Sequence, residues 1–160
     1  MPRTTPCLWF DGNAEEAAEY YVSMFPNSRI GTIERIPEDN PFPVDLPPGA
    51  ALTIDFELDG QPYTALNGGP LFTFSEAISF MIECADQDEI DHYYDGFVRD
   101  GGAELPCGWV KDRFGLSWQV VPVDLHRWAA DPVKSAKVMQ ALSTMTKLDL
   151  AALRAAAGEA

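Results

Sequence analysis

The sequence predicts an α+β fold in which two βαβββ modules form a curved mixed sheet with a concave cup, followed by C-terminal helices. Three observations predict it. The order strand, helix, strand, strand, strand is read twice along the chain, a repeat of elements rather than of residues. In each copy the helix opens on a polar cap with Glu three places on, Asn13 with Glu16 and Asp86 with Glu89. In each copy a turn containing Gly precedes the last strand. The modules are placed at residues 1–70 and 71–125, one domain together, and a helical extension at 126–160.

Residues 5–10 (T-P-C-L-W-F) form a short apolar strand closed by Asp11-Gly12. The helix from Asn13 carries Ala14, Ala17, Ala18, Tyr21, Val22 and Phe25 at helical spacing, and Pro26-Asn27 stops it. Residues 29–36 are rich in β-branched side chains and predict a strand. Five prolines in residues 37–49 require a loop, of a length common in lids and mobile connections. Residues 51–58 alternate, with Leu52, Ile54, Phe56 and Leu58 on one face. Asp59-Gly60 is a hairpin turn, and residues 61–67 return as the fourth strand.

Residues 78–84 start the second copy. Its helix has Ile90, Tyr93, Tyr94 and Phe97 as an apolar stripe and ends at Gly101-Gly102. Short strands near 103–106, 108–111 and 116–122 follow, the last two joined by Asp112-Arg113-Phe114-Gly115. Asp131-Pro132 opens a helix with Pro at its first position, striped by Val138, Met139, Leu142 and Met145. Residues 148–157 form a second, Ala- and Leu-rich helix.

Composition narrows the function. With 11 Lys and Arg against 25 Asp and Glu, the net charge is −14. Nucleic acid is excluded as a partner, because its binding rests on basic groups meeting phosphates. No apolar run approaches the roughly 20 residues of a membrane span, so no membrane is expected. The N-terminus reads straight into a strand without signal-peptide features, and the cytoplasm is the expected location. Cys7, Cys84 and Cys107 are an odd set without a close pair, which predicts buried reduced thiols. Exposed edge strands lead us to expect a symmetric homodimer.

Four segments carry a resemblance: residues 5–21 (T-P-C-L-W-F-D-G-N-A-E-E-A-A-E-Y-Y), 64–70 (T-A-L-N-G-G-P), 76–80 (E-A-I-S-F) and 107–122 (C-G-W-V-K-D-R-F-G-L-S-W-Q-V-V-P). In these the chain resembles the PhnB-like family, often labelled 3-demethylubiquinone methyltransferase-like. That family belongs to the glyoxalase/bleomycin-resistance/dioxygenase, or vicinal-oxygen-chelate, superfamily. The resemblance implies the duplicated fold and a small-molecule pocket. It also implies ligand positions on the first and last strands of each module. Carried over by strand pattern, these fall on Thr5, Thr64, Ser79 and Gln119. None is His, Asp or Glu, and hydroxyls suit a soft divalent ion poorly, so no metal and no other cofactor is expected.

Strand alternation then names the pocket. Thr5, Cys7 and Trp9 share one face of the first strand, Thr64 and Leu66 one face of the fourth, Ser79 and Met81 of the fifth, and Gln119 faces in from the last. Asn67 is placed at the rim, with Phe72, Phe74 and Trp109 as walls. No catalytic residue is assigned. The reading is a metal-independent small-molecule-binding protein of the PhnB-like type, with a flat or amphipathic ligand. The alternative is an enzyme acting on a carbonyl or quinone-like substrate.

Overall fold

The structure, a computed structural model, describes residues 1–159. Its chain divides into two compact units, Met1–Thr73 and the remainder from Phe74. Eight strands among the described residues make two four-stranded mixed sheets, one in each unit, each the sheet of one expected βαβββ module.

In the first unit, β1 (Cys7–Phe10) is followed by α1 (Ala14–Met24), β2 (Arg29–Arg35), β3 (Ala51–Leu58) and β4 (Gln61–Asn67). The sheet order is β1-β4-β3-β2, with β1 parallel to β4 and the other pairs antiparallel. Helix α1 packs through small residues: Ala14, Ala17 and Ala18 are fully buried, letting the helix approach the sheet closely. Tyr21 stacks on Phe56, and Phe56 on Tyr63, with ring centroids 6.2 and 5.3 Å apart. Full burial of the Phe56 ring stabilises the fold by roughly 1.5–3 kcal/mol, and Tyr63 is half-buried. The Asp59-Gly60 turn has positive φ at both residues, 46° and 84°, as a two-residue hairpin of this hand needs.

The cap of α1 differs from expectation. Asn13 occupies the N-cap position, yet its side chain makes no capping bond. Instead the N–H of Ala14 donates to Oδ1 of Asn67, 2.9 Å away at the end of β4. The same amide donates through Nδ2 to the Ala51 carbonyl, also at 2.9 Å. One buried side chain therefore ties the start of α1, the start of β3 and the end of β4 together.

A second difference lies in β3. Glu34 pairs with Thr53 and Arg35 with Ala51, so Leu52 is the extra residue of a bulge. Ile54, Phe56 and Leu58 are buried as expected, but Leu52 is only half-buried, and Ala51 takes the buried position beside it.

The second unit holds β5 (Phe80–Cys84), α2 (Gln87–Arg99), β6 (Ala103–Glu104), β7 (Trp109–Lys111) and β8 (Ser117–Pro122), in the order β5-β8-β7-β6. Here the helix caps itself. The Asp86 carboxylate accepts from the Glu89 N–H at 2.9 Å, and Glu89 Oε2 accepts from the Ala85 N–H at 2.8 Å. At the other end Gly101 and Gly102 donate to the carbonyls of Val98 and Phe97, a Schellman close. Phe97 stacks on Trp118 at 5.3 Å. Asp112, 3% exposed, organises the turn before β8 by accepting from the N–H groups of Phe114 and Leu116 and from the Trp118 indole.

The strand expected at 108–111 starts one residue later, because Pro106–Gly108 forms a single 3₁₀ turn with Cys107 at φ 65°. Three helices follow: α3 (Asp124–Ala129), α4 (Pro132–Leu142) and α5 (Leu150–Ala156). The sequence reading missed α3, a helix too short to show a period, which anchors the buried Trp128. Asp131 caps α4 as its Asp-Pro start requires. Met139 leaves the predicted stripe and is 62% exposed, whereas Val138 is buried. The tail docks on the second module: Gln87 donates to the Leu148 carbonyl and accepts from the Leu150 N–H, and Lys147 pairs with Asp91 and Asp95.

Candidate functional site

In each module the helix covers one sheet face. The strand pairings decide which side chains share the other, open face. In the first module two rows result. Cys7 pairs with Thr64, which pairs with Asp55; Trp9 pairs with Leu66, which pairs with Thr53. The hydroxyl of Thr64 donates to Asp55 Oδ1 at 2.9 Å. Four predicted pocket residues, Cys7, Trp9, Thr64 and Leu66, thus stand on one face.

The Trp9 ring has a defined seat. Its Nε1 donates to the Gly69 carbonyl at 2.9 Å, and Phe72 meets it edge-on at 5.0 Å. A Cβ on Gly68 would lie 2.3 Å from the indole, so only glycine permits this contact. Around Trp9 opens an apolar cavity of about 780 Å³, walled by Leu52, Leu66, Leu71, Phe42 and Val44 among others. Leu52 belongs to it because the bulge turns that side chain out of the core. Phe42 and Val44 come from the proline-rich loop, where the Asn40 side chain makes two bracing bonds: Nδ2 donates to the Val44 carbonyl, and Oδ1 accepts from the Phe42 N–H. A smaller cavity of about 340 Å³, lined by Asp11, Leu46 and Asn67, shares the walls Val44, Asp45, Gly69 and Pro70. Toward the polar row lies a third, of about 380 Å³, lined by Thr5, Arg3, Asp55 and Thr64.

Asn67 lines the smaller cavity and also serves the fold, a role the sequence reading did not give it: it is 3% exposed with both ends of its amide bonded to backbone. Cys7 corrects the sequence reading: the residue is exposed rather than packed away. Partial burial of the sulfur and the Asp55 charge push its thiol upward, away from thiolate at neutral pH. Cys84 fits the expectation, since burial and the charges of Glu89 and Asp86 push it up to about 12.

On the open face of the second module, Met81, Gln119 and Trp109 form one row. Gln119 Nε2 donates to Ser79 Oγ at 2.9 Å, bringing two further predicted residues together. Glu83 pairs with His126, and Lys111 with Glu76. Phe72 is 59% exposed, Met81 52% exposed, and Phe74 half-buried. Sequence reasoning missed Phe42, Val44, Leu52 and Leu71. Apolar residues placed among the prolines of a loop were the available signal for the first two.

The positions carried over as metal ligands hold two threonines, a serine and a glutamine, and the Thr64 and Ser79 hydroxyls are already hydrogen-bonded. Among the described residues no three His, Cys, Asp or Glu side chains are grouped to hold a metal ion. This donor set does not fit a soft divalent ion. Among the described residues no helix is long and apolar enough to cross a membrane.

Residues 2–121 match the family model described as 3-demethylubiquinone-9 3-methyltransferase. A solved PhnB protein from Bacillus cereus carrying the same methyltransferase name is 31% identical, with a TM-score of 0.66 over 75% of this chain and 99% of that one. A protein from Pseudomonas aeruginosa shares the fold at 18% identity and a TM-score of 0.62, over 76% of this chain and 98% of that one. A glyoxalase/bleomycin resistance protein from Albidiferax ferrireducens T118 matches at 11% identity and a TM-score of 0.45, over 74% of this chain and 95% of that one. Among curated proteins no match was found.

Proposed function

Because the chain belongs to the 3-demethylubiquinone-9 3-methyltransferase, or PhnB-like, family, we propose that it is a metal-independent small-molecule-binding protein whose ligand sits in the Trp9 cavity. The observation that carries this reading is the cavity itself: about 780 Å³ of mostly apolar space around a seated indole. Such a volume suits a flat, ring-sized ligand. The family description suggests a quinone-like ring as one candidate.

Methyl transfer by an adenosylmethionine-type cofactor does not fit these residues. Such a cofactor is held by free N–H groups at a Gly-rich strand-to-helix turn. Here the turn into α1 is Asp11-Gly12-Asn13. The only adjacent glycines of the first module, Gly68 and Gly69, both donate to the Phe10 carbonyl.

The test uses 3-(1-naphthyl)propan-1-ol as probe, with EDTA present. The full chain should show a saturable rise in Tm, as ligand binding to the folded state requires. Leu66→Gln, in the cavity wall, should abolish the rise while leaving the circular dichroism intact. No rise in the unaltered chain, or an equal rise in the variant, overturns the proposal.

One observation favours a second reading, an enzyme acting on a carbonyl or quinone-like substrate. The Ser79–Gln119 pair stands beside Trp109 and Met81 and offers donors for a carbonyl oxygen. Turnover should then fall in Ser79→Ala and Gln119→Ala with the fold retained, and unchanged turnover in both ends this reading. A homodimer is supported by apolar side chains left in solvent, Leu71 at 74% and Ile78 at 56% exposure. Sedimentation as a single chain overturns it.

A further inference from the structure

We infer that the Trp9 cavity selects an amphipathic cation, its ring held by the apolar walls and its ammonium group by Asp11 and Asp45. This rests on the reading of that cavity as the ligand site and names the class of ligand. The apolar cavity and the smaller cleft share Val44, Asp45, Gly69 and Pro70, so a ligand lodged in one abuts the other. Asp45 is the single charged residue in the wall of the first, and Asp11 and Asp45 are the charged residues of the second. Neither carboxylate has an ion-pair or hydrogen-bond partner among the described residues, whereas Glu57 and Glu15 on the same module are each paired with arginine. No Lys or Arg lines either space.

Two unpaired carboxylates beside an apolar chamber are the complement of a cation carried on a hydrophobic body. An anionic ligand would meet like charge at the same place. A neutral ring would gain the apolar contacts and leave the carboxylates to water. The chain's net charge of −14 adds a field of the same sign, which draws cations toward the surface.

The test compares three probes with one naphthyl body and one three-carbon arm, ending in an amine, an alcohol or a carboxylate. Affinities are measured by calorimetric titration of the full chain at low salt. The amine should bind about five- to tenfold more tightly than the alcohol, the range for two partly exposed charge contacts, and the carboxylate more weakly than either. Asp11→Asn with Asp45→Asn should erase the amine's advantage and leave alcohol binding unchanged. Glu19→Gln with Glu34→Gln removes the same charge from residues lining neither space, and should keep the advantage. Equal affinity for amine and alcohol in the unaltered chain overturns the inference and leaves the binding site standing. An advantage lost equally in both double variants also overturns it, by assigning the preference to net charge. Absence of binding by all three probes overturns the cavity reading and this inference together.

Discussion

The two modules share one topology but start their helices in different ways. In the second module Asp86 and Glu89 close a reciprocal cap within one stretch of chain. In the first, the residue at the matching place makes no side-chain cap, and the donor at the helix start is taken by Asn67 from the far end of the sheet. A local cap affects the helix it belongs to. A cap borrowed from another strand makes the helix, two strands and the adjoining cavity depend on one amide. The second module places its most demanding polar residue elsewhere: Asp112 holds the turn before β8 and takes no part in the open face.

The different origins of the two caps set the order of the expected losses in stability. Asp112→Ala strands three donors, two of them buried, and should cost about 4 kcal/mol, read as a shift in the urea midpoint. Asn67→Ala removes two buried hydrogen bonds and should cost about 3 kcal/mol. Asp86→Ala should cost about 1 kcal/mol, as a local N-cap does. If Asp86→Ala cost as much as Asn67→Ala, the distinction between borrowed and local caps would fall. Between these lies Gly68→Ala, at about 2 kcal/mol, because the new methyl group must displace the Trp9 ring. Its near-ultraviolet circular dichroism should change and the naphthyl alcohol should cease to bind.

The smallest expected effect concerns pH and belongs to the second unit alone. Glu159 pairs with Arg127 and accepts from the Trp128 indole and Lys134. These contacts, Arg127 foremost, outweigh desolvation and hold its carboxyl at about 2. A depressed carboxyl supports the fold above the usual carboxylate range and loses that support as pH falls toward 2. The Trp128 indole proton resonance should shift in that window, and Glu159→Gln should remove the shift.

Much of the fold was legible because its signals are local. Alternation over 54–58, the Asp-Gly turn, the Asp86 cap and the Asp-Pro start each depend on a few neighbouring residues, and each appears in the structure. What could not be read depends on distant pairing. The identity of the α1 cap required knowing that β4 ends beside it. The turning of Leu52 required the register of β2 against β3, which a pattern of apolar residues does not contain. The structural role of Asn67 was hidden because a strand-end amide is usually wet. The open-face residues Cys7, Trp9, Thr64 and Leu66 were found because parity alone decides the side a strand residue faces. The loop walls Phe42 and Val44 obey no parity.

Asn67 is followed directly by Gly68. In an unfolded chain that dipeptide is prone to deamidation: the backbone nitrogen of the glycine attacks the side-chain carbonyl, ammonia leaves, and hydrolysis yields aspartate or isoaspartate. In the folded protein that nitrogen donates to the Phe10 carbonyl, and the amide is held at both ends. Conversion therefore waits until the module opens. An aspartate at this position would then set an anionic oxygen against the Ala51 carbonyl and resist closing again. The residue that joins the module together thus carries, at most once per chain, an irreversible gain of negative charge that accumulates across a population with the total time its modules spend open.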